Sequence, residues 1–122
     1  ISNQTSLFGQ KGLFLSNSLR MGVLGWSKAL SDEVASNGIT VNSVCPGSTR
    51  TERITQIFQS QSEATGKTQA EIESLAAGNI PMLRIGEPED LAAIIAFLAS
   101  ERASYMTGLA IQVDGGSART FY

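Results

Sequence analysis

From residue 13 onward the apolar positions recur with a helical period. Leu15, Leu19, Val23, Trp26, Leu30 and Val34 follow one another at intervals of four, four, three, four and four residues, one stripe of a helix. A second face carries Ser16, Ser18, Gly22, Gly25 and Ala29. Glycine inside a helix costs about 1 kcal/mol relative to alanine. Two of them three residues apart predict another backbone packed close by. The helix is expected to reach about Ala35 and to stop at Asn37-Gly38, a left-handed C-terminal signal. Residues 4–12, polar with two glycines, read as a loop.

The period then changes. Ile39-Thr40-Val41-Asn42-Ser43-Val44 alternates, is dominated by β-branched residues, and ends at Pro46-Gly47, which predicts a strand over about 39–45. Helix, tight turn and strand make half of a βαβ unit, so the sheet is expected to be parallel. Residues 48–80 are rich in Gln, Ser, Thr and Glu. Within them Thr68 and Glu71 spell a capping box for a short helix to about Ala77, with Gly66 and Gly78 as punctuation. Such a polar excursion reads either as a substrate lid or as a surface insertion. Glu87-Pro88-Glu89-Asp90 opens a further helix, since proline suits the first turn and acids suit the positive end of the dipole. Leu91, Ile94, Ile95 and Leu98 form its expected buried stripe, and 109–113 a last strand stopped by Asp114-Gly115-Gly116.

Composition narrows the chemistry. The 122 residues are 42% hydrophobic and 16% charged, enough for a core and too weakly charged for a disordered tail. Lys and Arg number 9 against 11 Asp and Glu, with no basic cluster, which argues against nucleic acid or an anionic membrane as partner. Histidine is absent, so this chain holds no Ser-His-Asp triad, Cys-His dyad or His-based metal site. Cys45 is the lone cysteine, which excludes an intrachain disulfide and argues against a zinc cluster. No apolar run is long enough for a membrane span and no signal peptide is read, so a reduced, cytoplasmic setting is expected. The start at Ile1-Ser2-Asn3, without methionine, suggests a piece of a longer chain with a natural C-terminus.

Five segments carry a resemblance: Gly22-Val23-Leu24-Gly25; Gly38-Ile39-Thr40-Val41-Asn42; Pro46-Gly47; Gly86-Glu87-Pro88-Glu89-Asp90; and Thr107-Gly108 leading to Val113-Asp114-Gly115-Gly116. In this order and spacing they resemble the C-terminal half of a short-chain dehydrogenase/reductase, nearest to the β-ketoacyl carrier-protein reductase type. The resemblance implies an α/β fold, the C-terminal part of a doubly wound parallel (Rossmann-type) sheet. Residues 1–122 would be that portion of one domain, with a lid at about 48–80 and the N-terminal cofactor-binding half outside the chain. It implies hydride transfer between NAD or NADP and a small-molecule carbonyl or alcohol, in a homodimer or homotetramer. The Gly-rich phosphate turn belongs to the other half, so the choice between NAD and NADP is not written here.

The resemblance also places the reacting groups. The family's Ser, Tyr and Lys fall on Asn3, Ser16 and Arg20, with spacing intact and all three residue types changed. A phenol can be brought toward operating pH by a neighbouring ammonium, whereas an aliphatic hydroxyl is far less acidic. Arg20 stays cationic and can bond ribose hydroxyls, but with a different donor geometry from lysine. Asn3 can still offer an amide to a carbonyl oxygen. A retained binding site without the family's proton relay, as in a pseudoenzyme or interaction scaffold, is therefore the alternative to an active reductase. The plain reading makes Ser16 a helix-contact residue, Arg20 a solvated or paired side chain and Asn3 a strand-end residue. Pro46, Gly47 and Thr51 match the turn that passes the nicotinamide and the Thr that bonds its carboxamide; the plain reading is a strand-ending turn with Thr51 as a helix cap. Asn42 reads as structural, Cys45 as a buried small hydrophobe, and Trp26 as core or subunit interface.

Overall fold

The computed structural model describes residues 13–119. Asn3, the loop at 4–12 and the strand-end reading of the first residues lie outside them. Helix α1 spans Phe14–Val34 and passes through a 3-10 turn, Ala35–Asn37, to Gly38 at φ 73°. The stop expected at Asn37-Gly38 is therefore present, for the expected reason: glycine adopts the left-handed conformation at little steric cost.

Strand β1 is Ser43–Pro46, shorter than the 39–45 expected. Residues before it are held by side chains instead of a full ladder. The Val41 amide donates to Thr107 Oγ1 (3.0 Å), Asn42 Nδ2 donates to the Met106 carbonyl (2.7 Å), and Asn42 Oδ1 accepts from the Leu109 amide (3.2 Å). Asn42 is thus structural, as read. Strand β2, Ala110–Val113, pairs with β1 in parallel, from Ser43↔Ala110 to Pro46↔Val113. Cys45, fully buried, sits in the pair, and burial pushes its thiol up.

Between the strands lie three helices: α2 at Glu52–Thr65, α3 at Gln69–Gly78 and α4 at Pro88–Leu98. The capping box at α3 is formed, with the Glu71 amide donating to Thr68 Oγ1 (3.2 Å) and the Thr68 amide to Glu71 Oε2 (2.8 Å). Of helix α2 the sequence reading holds only the start, Thr51 as a helix cap, and not the helix that follows it. It starts at Thr51 and ends at Gly66, φ 70°. Its few apolar side chains find partners far along the chain: Phe58 packs with Ile72, Ile80 and Ile85, and Ile54 and Ala76 lean on that cluster. The excursion is a helical hairpin with its own small core.

Two expected faces behave differently. The α1 side that is buried carries Ser27 and Ser31, and Ser31 lies against the Gly108 turn. The apolar stripe is largely open: Leu15, Leu19 and Val23 are exposed, and Trp26 is 64% exposed. Trp26 is therefore not core among the described residues. Nothing among them comes within 4 Å of a Cβ built at Gly22 or Gly25, so the close backbone expected there is not found. On α4 no residue is fully buried; Leu91, Ile94 and Leu98 are half-buried and Ile95 is exposed. The reason is geometric: the two strands present among the described residues make a sheet too narrow to cover the apolar faces of both helices.

Candidate functional site

Ser16 and Arg20 lie one turn apart near the start of α1, both half-buried. Arg20 Nε donates to Ser16 Oγ at 3.1 Å. Their i, i+4 spacing puts them on one helix face, where such pairs meet. The Ser16 oxygen therefore faces a cation, and no carboxylate among the described residues bonds its hydroxyl.

The second group stands at the carboxyl ends of the strands, where open α/β sheets bind ligands. Pro46 ends β1, and the Gly47 amide continues the ladder onto the Val113 carbonyl at 2.9 Å. A Cβ on Gly47 would lie 2.7 Å from Asp114 Cα and 2.7 Å from its Cβ, so glycine is required for the two strand exits to touch. Asp114 ties off the β2 exit: Oδ1 accepts from the Gly116 amide (2.9 Å) and Oδ2 from the Ala118 amide (2.8 Å).

From Gly47 the chain runs beside Gly86. The Gly86 amide donates to the Ser48 carbonyl (2.9 Å) and the Arg50 amide to the Gly86 carbonyl (2.8 Å), a parallel bridge at Thr49. Thr51 then caps α2, its backbone extended and its Oγ1 accepting from the Ile54 amide at 3.4 Å. The cap reading of Thr51 is thus present in the structure.

A cleft of about 380 Å³ opens here, with Ser48, Thr49, Gly86, Gln112 and Asp114 among its walls. Arg84 and Asp90 close one side as a two-pronged ion pair, Nη1 to Oδ2 at 2.6 Å and Nη2 to Oδ1 at 3.0 Å. That guanidinium, together with the Glu87 amide, holds the Asp90 carboxyl down at about 2. Arg50 pairs with Glu87 and Glu73, and its hydrogen bond holds the Glu73 carboxyl below the ordinary range.

Among the described residues the hydrogen bonds join Ser16 to Arg20, and Gly47 to the β2 exit, but none joins the two groups to each other. Sequence reasoning missed Arg50, Arg84 and Asp114 as parts of the site. The Asp114-Gly115-Gly116 turn was a signal for the last; Arg50 and its partners, 23 and 37 residues away, carry none.

The model of the family described as enoyl-(acyl carrier protein) reductase matches residues 5–118. The chain belongs to the short-chain dehydrogenase/reductase family. It is similar to the acetoacetyl-CoA reductase of Shinella zoogloeoides, at 37% identity over 95% of this chain and 45% of the relative. It is also similar to the 3-oxoacyl-[acyl-carrier-protein] reductase FabG of Rickettsia felis, at 38% identity over 95% of this chain and 44% of the relative. Among solved structures, the L-sorbose reductase of Gluconobacter frateurii, complexed with NADPH and L-sorbose, superposes with a TM-score of 0.93 at 28% identity, covering 98% of this chain and 46% of that one. The chain thus spans less than half the length of the curated relatives it matches. Within the family this chain carries the α/β, Rossmann-type parallel arrangement expected from its sequence.

Proposed function

We propose that these residues are the C-terminal portion of an oxidoreductase of the 3-oxoacyl reductase type. It moves hydride between NAD or NADP and a small carbonyl or alcohol substrate. The observation that carries this reading is the exit of β1: a Pro46-Gly47 turn at the carboxyl end of a parallel strand, leading directly to Thr51. The names of the similar reductases point the same way.

The donors present suit the nicotinamide end of such a cofactor. Thr51 Oγ1 accepts from the Ile54 amide, which leaves its own O–H to donate to a carboxamide oxygen. Arg20 uses Nε on Ser16, and its terminal nitrogens make no hydrogen bond among the described residues, so they can reach ribose hydroxyls. The bound cofactor supplies or receives the hydride at the substrate carbon. Ser16 donates its hydroxyl proton to the substrate oxygen and takes one back from water, so the net proton for alcohol formation comes from solvent. Arg20 stabilises the negative charge that develops there. Asn3, which the resemblance puts at the family's Ser position, lies outside the described residues.

A second reading is a cofactor-binding protein without turnover. It is favoured by the Arg20–Ser16 bond itself, because a cation on an aliphatic hydroxyl, with no base bonded to it among the described residues, is a poor proton relay. The complete protein is read as a homodimer or homotetramer, supported by the open apolar stripe of α1. A reduced, cytoplasmic setting suits the free thiol of Cys45. Among the described residues no helix is long and apolar enough to cross a membrane.

The test uses the full-length protein. NADH and NADPH binding is followed by cofactor fluorescence, and turnover is measured on acetoacetyl and longer 3-oxoacyl thioesters and on simple ketones. Turnover supports the reductase, binding without turnover supports the second reading, and absence of both overturns each.

A further inference from the structure

Arg50 precedes Thr51 and is fastened on three sides. Its amide donates to the Gly86 carbonyl at 2.8 Å. Its Nε reaches both carboxylate oxygens of Glu87, at 3.0 and 3.2 Å. Its Nη2 pairs with Glu73 Oε1 on α3. Glu87 is itself the residue that starts α4, and its amide donates to Asp90 Oδ2 at 2.8 Å. Among the described residues no other ion pair ties the α2–α3 hairpin to the rest of the chain. One guanidinium therefore meets the hairpin, the start of α4 and, through the peptide bond, the cap of α2. A planar fork can serve two carboxylates at once, which an ammonium on a flexible stem does less well.

We propose that Arg50 is a positioning residue: it sets where Thr51 stands and latches the α2–α3 hairpin to the start of α4, so that cofactor affinity and hairpin motion depend on the same side chain. The inference rests on the reading of Thr51 as a nicotinamide contact. It does not require Arg50 to touch cofactor or substrate. Releasing the guanidinium leaves residues 48–51 tied by backbone bonds to Gly86 and the hairpin by its apolar packing on Ile80 and Ile85, so that segment moves more freely with the hairpin.

The experiment compares the full-length protein with its Arg50→Gln, Arg50→Lys and Glu73→Ala forms. The readouts are NADPH fluorescence, steady-state constants on an acetoacetyl thioester, and hydrogen exchange over 52–78. Exposed ion pairs are worth up to about 1 kcal/mol each, or about fivefold. Arg50→Gln is expected to weaken NADPH binding by about fivefold, with the kinetic loss falling on KM rather than kcat, and to speed exchange in α2 and α3 while β1 is unchanged. Arg50→Lys should recover part of both effects. Glu73→Ala should speed exchange in α3 and weaken NADPH binding less, which keeps the test open if Arg50→Gln fails to fold. Parental NADPH affinity and parental exchange over 52–78 in a folded Arg50→Gln protein would overturn the proposal. A parent that binds no cofactor would instead overturn the functional reading, and the exchange data would still decide whether Arg50 is the latch.

Discussion

Arg20 donates to the hydroxyl of Ser16 across one helical turn, at 3.1 Å. On the proposed reading the pair stands at the family's Tyr and Lys positions, with a guanidinium–alcohol couple in place of an ammonium–phenol couple. What changes is acidity. The phenol titrates near pH 10 in water, and the alcohol far above it.

Restoring the family types tests that statement. Ser16→Tyr with Arg20→Lys and Asn3→Ser, made in the full-length protein, should raise ketone reduction above the parent. General acid–base catalysis is typically worth about 10² to 10⁴-fold. A folded triple variant that binds cofactor and shows no gain in kcat/KM would place the loss elsewhere in the site.

The contact of Gly47 with Asp114 predicts a cost for any side chain. Gly47→Ala puts a methyl 2.7 Å from backbone and side-chain carbons of Asp114, so the strand exits must part. Overpacking of this kind costs about 1–3 kcal/mol. A urea melt of the full-length variant should show it, and an unchanged midpoint would mean that the exits are not in contact.

Leu83 makes the opposite case. Its φ is +54° and its side chain is 71% exposed, so it carries the strain of a left-handed residue with little packing to lose. That conformation costs an L-residue about 1–2 kcal/mol, partly offset by about 0.5–1 kcal/mol of extra chain entropy lost by glycine. Leu83→Gly should therefore leave the protein slightly more stable, by up to about 1 kcal/mol. A clear fall in melting temperature would show that the side chain packs on something.

Acid should loosen the start of α3 and of α4. Asp90 titrates at about 2 against an ordinary 3.8, and Glu71 and Glu73 are likewise held low, Glu71 by its hydrogen bonds to Thr68 and Glu73 by Arg50. A carboxylate whose folded value is depressed stabilises the fold above its unfolded value and loses that contribution as pH falls toward the folded one. The loss therefore begins near pH 4 to 5 and, for Asp90, is complete only below pH 2. Carbon NMR titration should find Asp90 low in the parent and raised in Arg84→Gln, though still below the ordinary carboxylate range because the Glu87 amide stays bonded to it. No movement in that variant would remove Arg84 as the cause.

The open stripe of α1 bears on the isolated chain. Leu15, Leu19, Val23 and Trp26 present contiguous apolar surface, which soluble monomers rarely leave uncovered. Prepared alone, residues 1–122 should self-associate or remain partly unfolded. Light scattering coupled to size exclusion, with a urea melt, checks this; a monomer with one sharp transition would contradict it.

Signals confined to a few neighbouring residues were legible in the sequence. Asn37-Gly38 stopped α1, Thr68 and Glu71 capped α3, Pro88 opened α4, and Pro46-Gly47 ended β1, because each acts within a turn or two of backbone. The parallel sense of the sheet followed from the helix–turn–strand order. Tertiary structure decided the rest. Strand β1 starts at Ser43 because Asn42 and Val41 bond to residues more than sixty positions away. Helix α2 holds because Phe58 finds Ile72, Ile80 and Ile85. Arg50 matters because folding brings Glu73 and Glu87 to one guanidinium. Periodicity shows that a helix has an apolar face; which face is covered depends on what folding sets against it, and on α1 Ser27 and Ser31 are buried while Trp26 stays open.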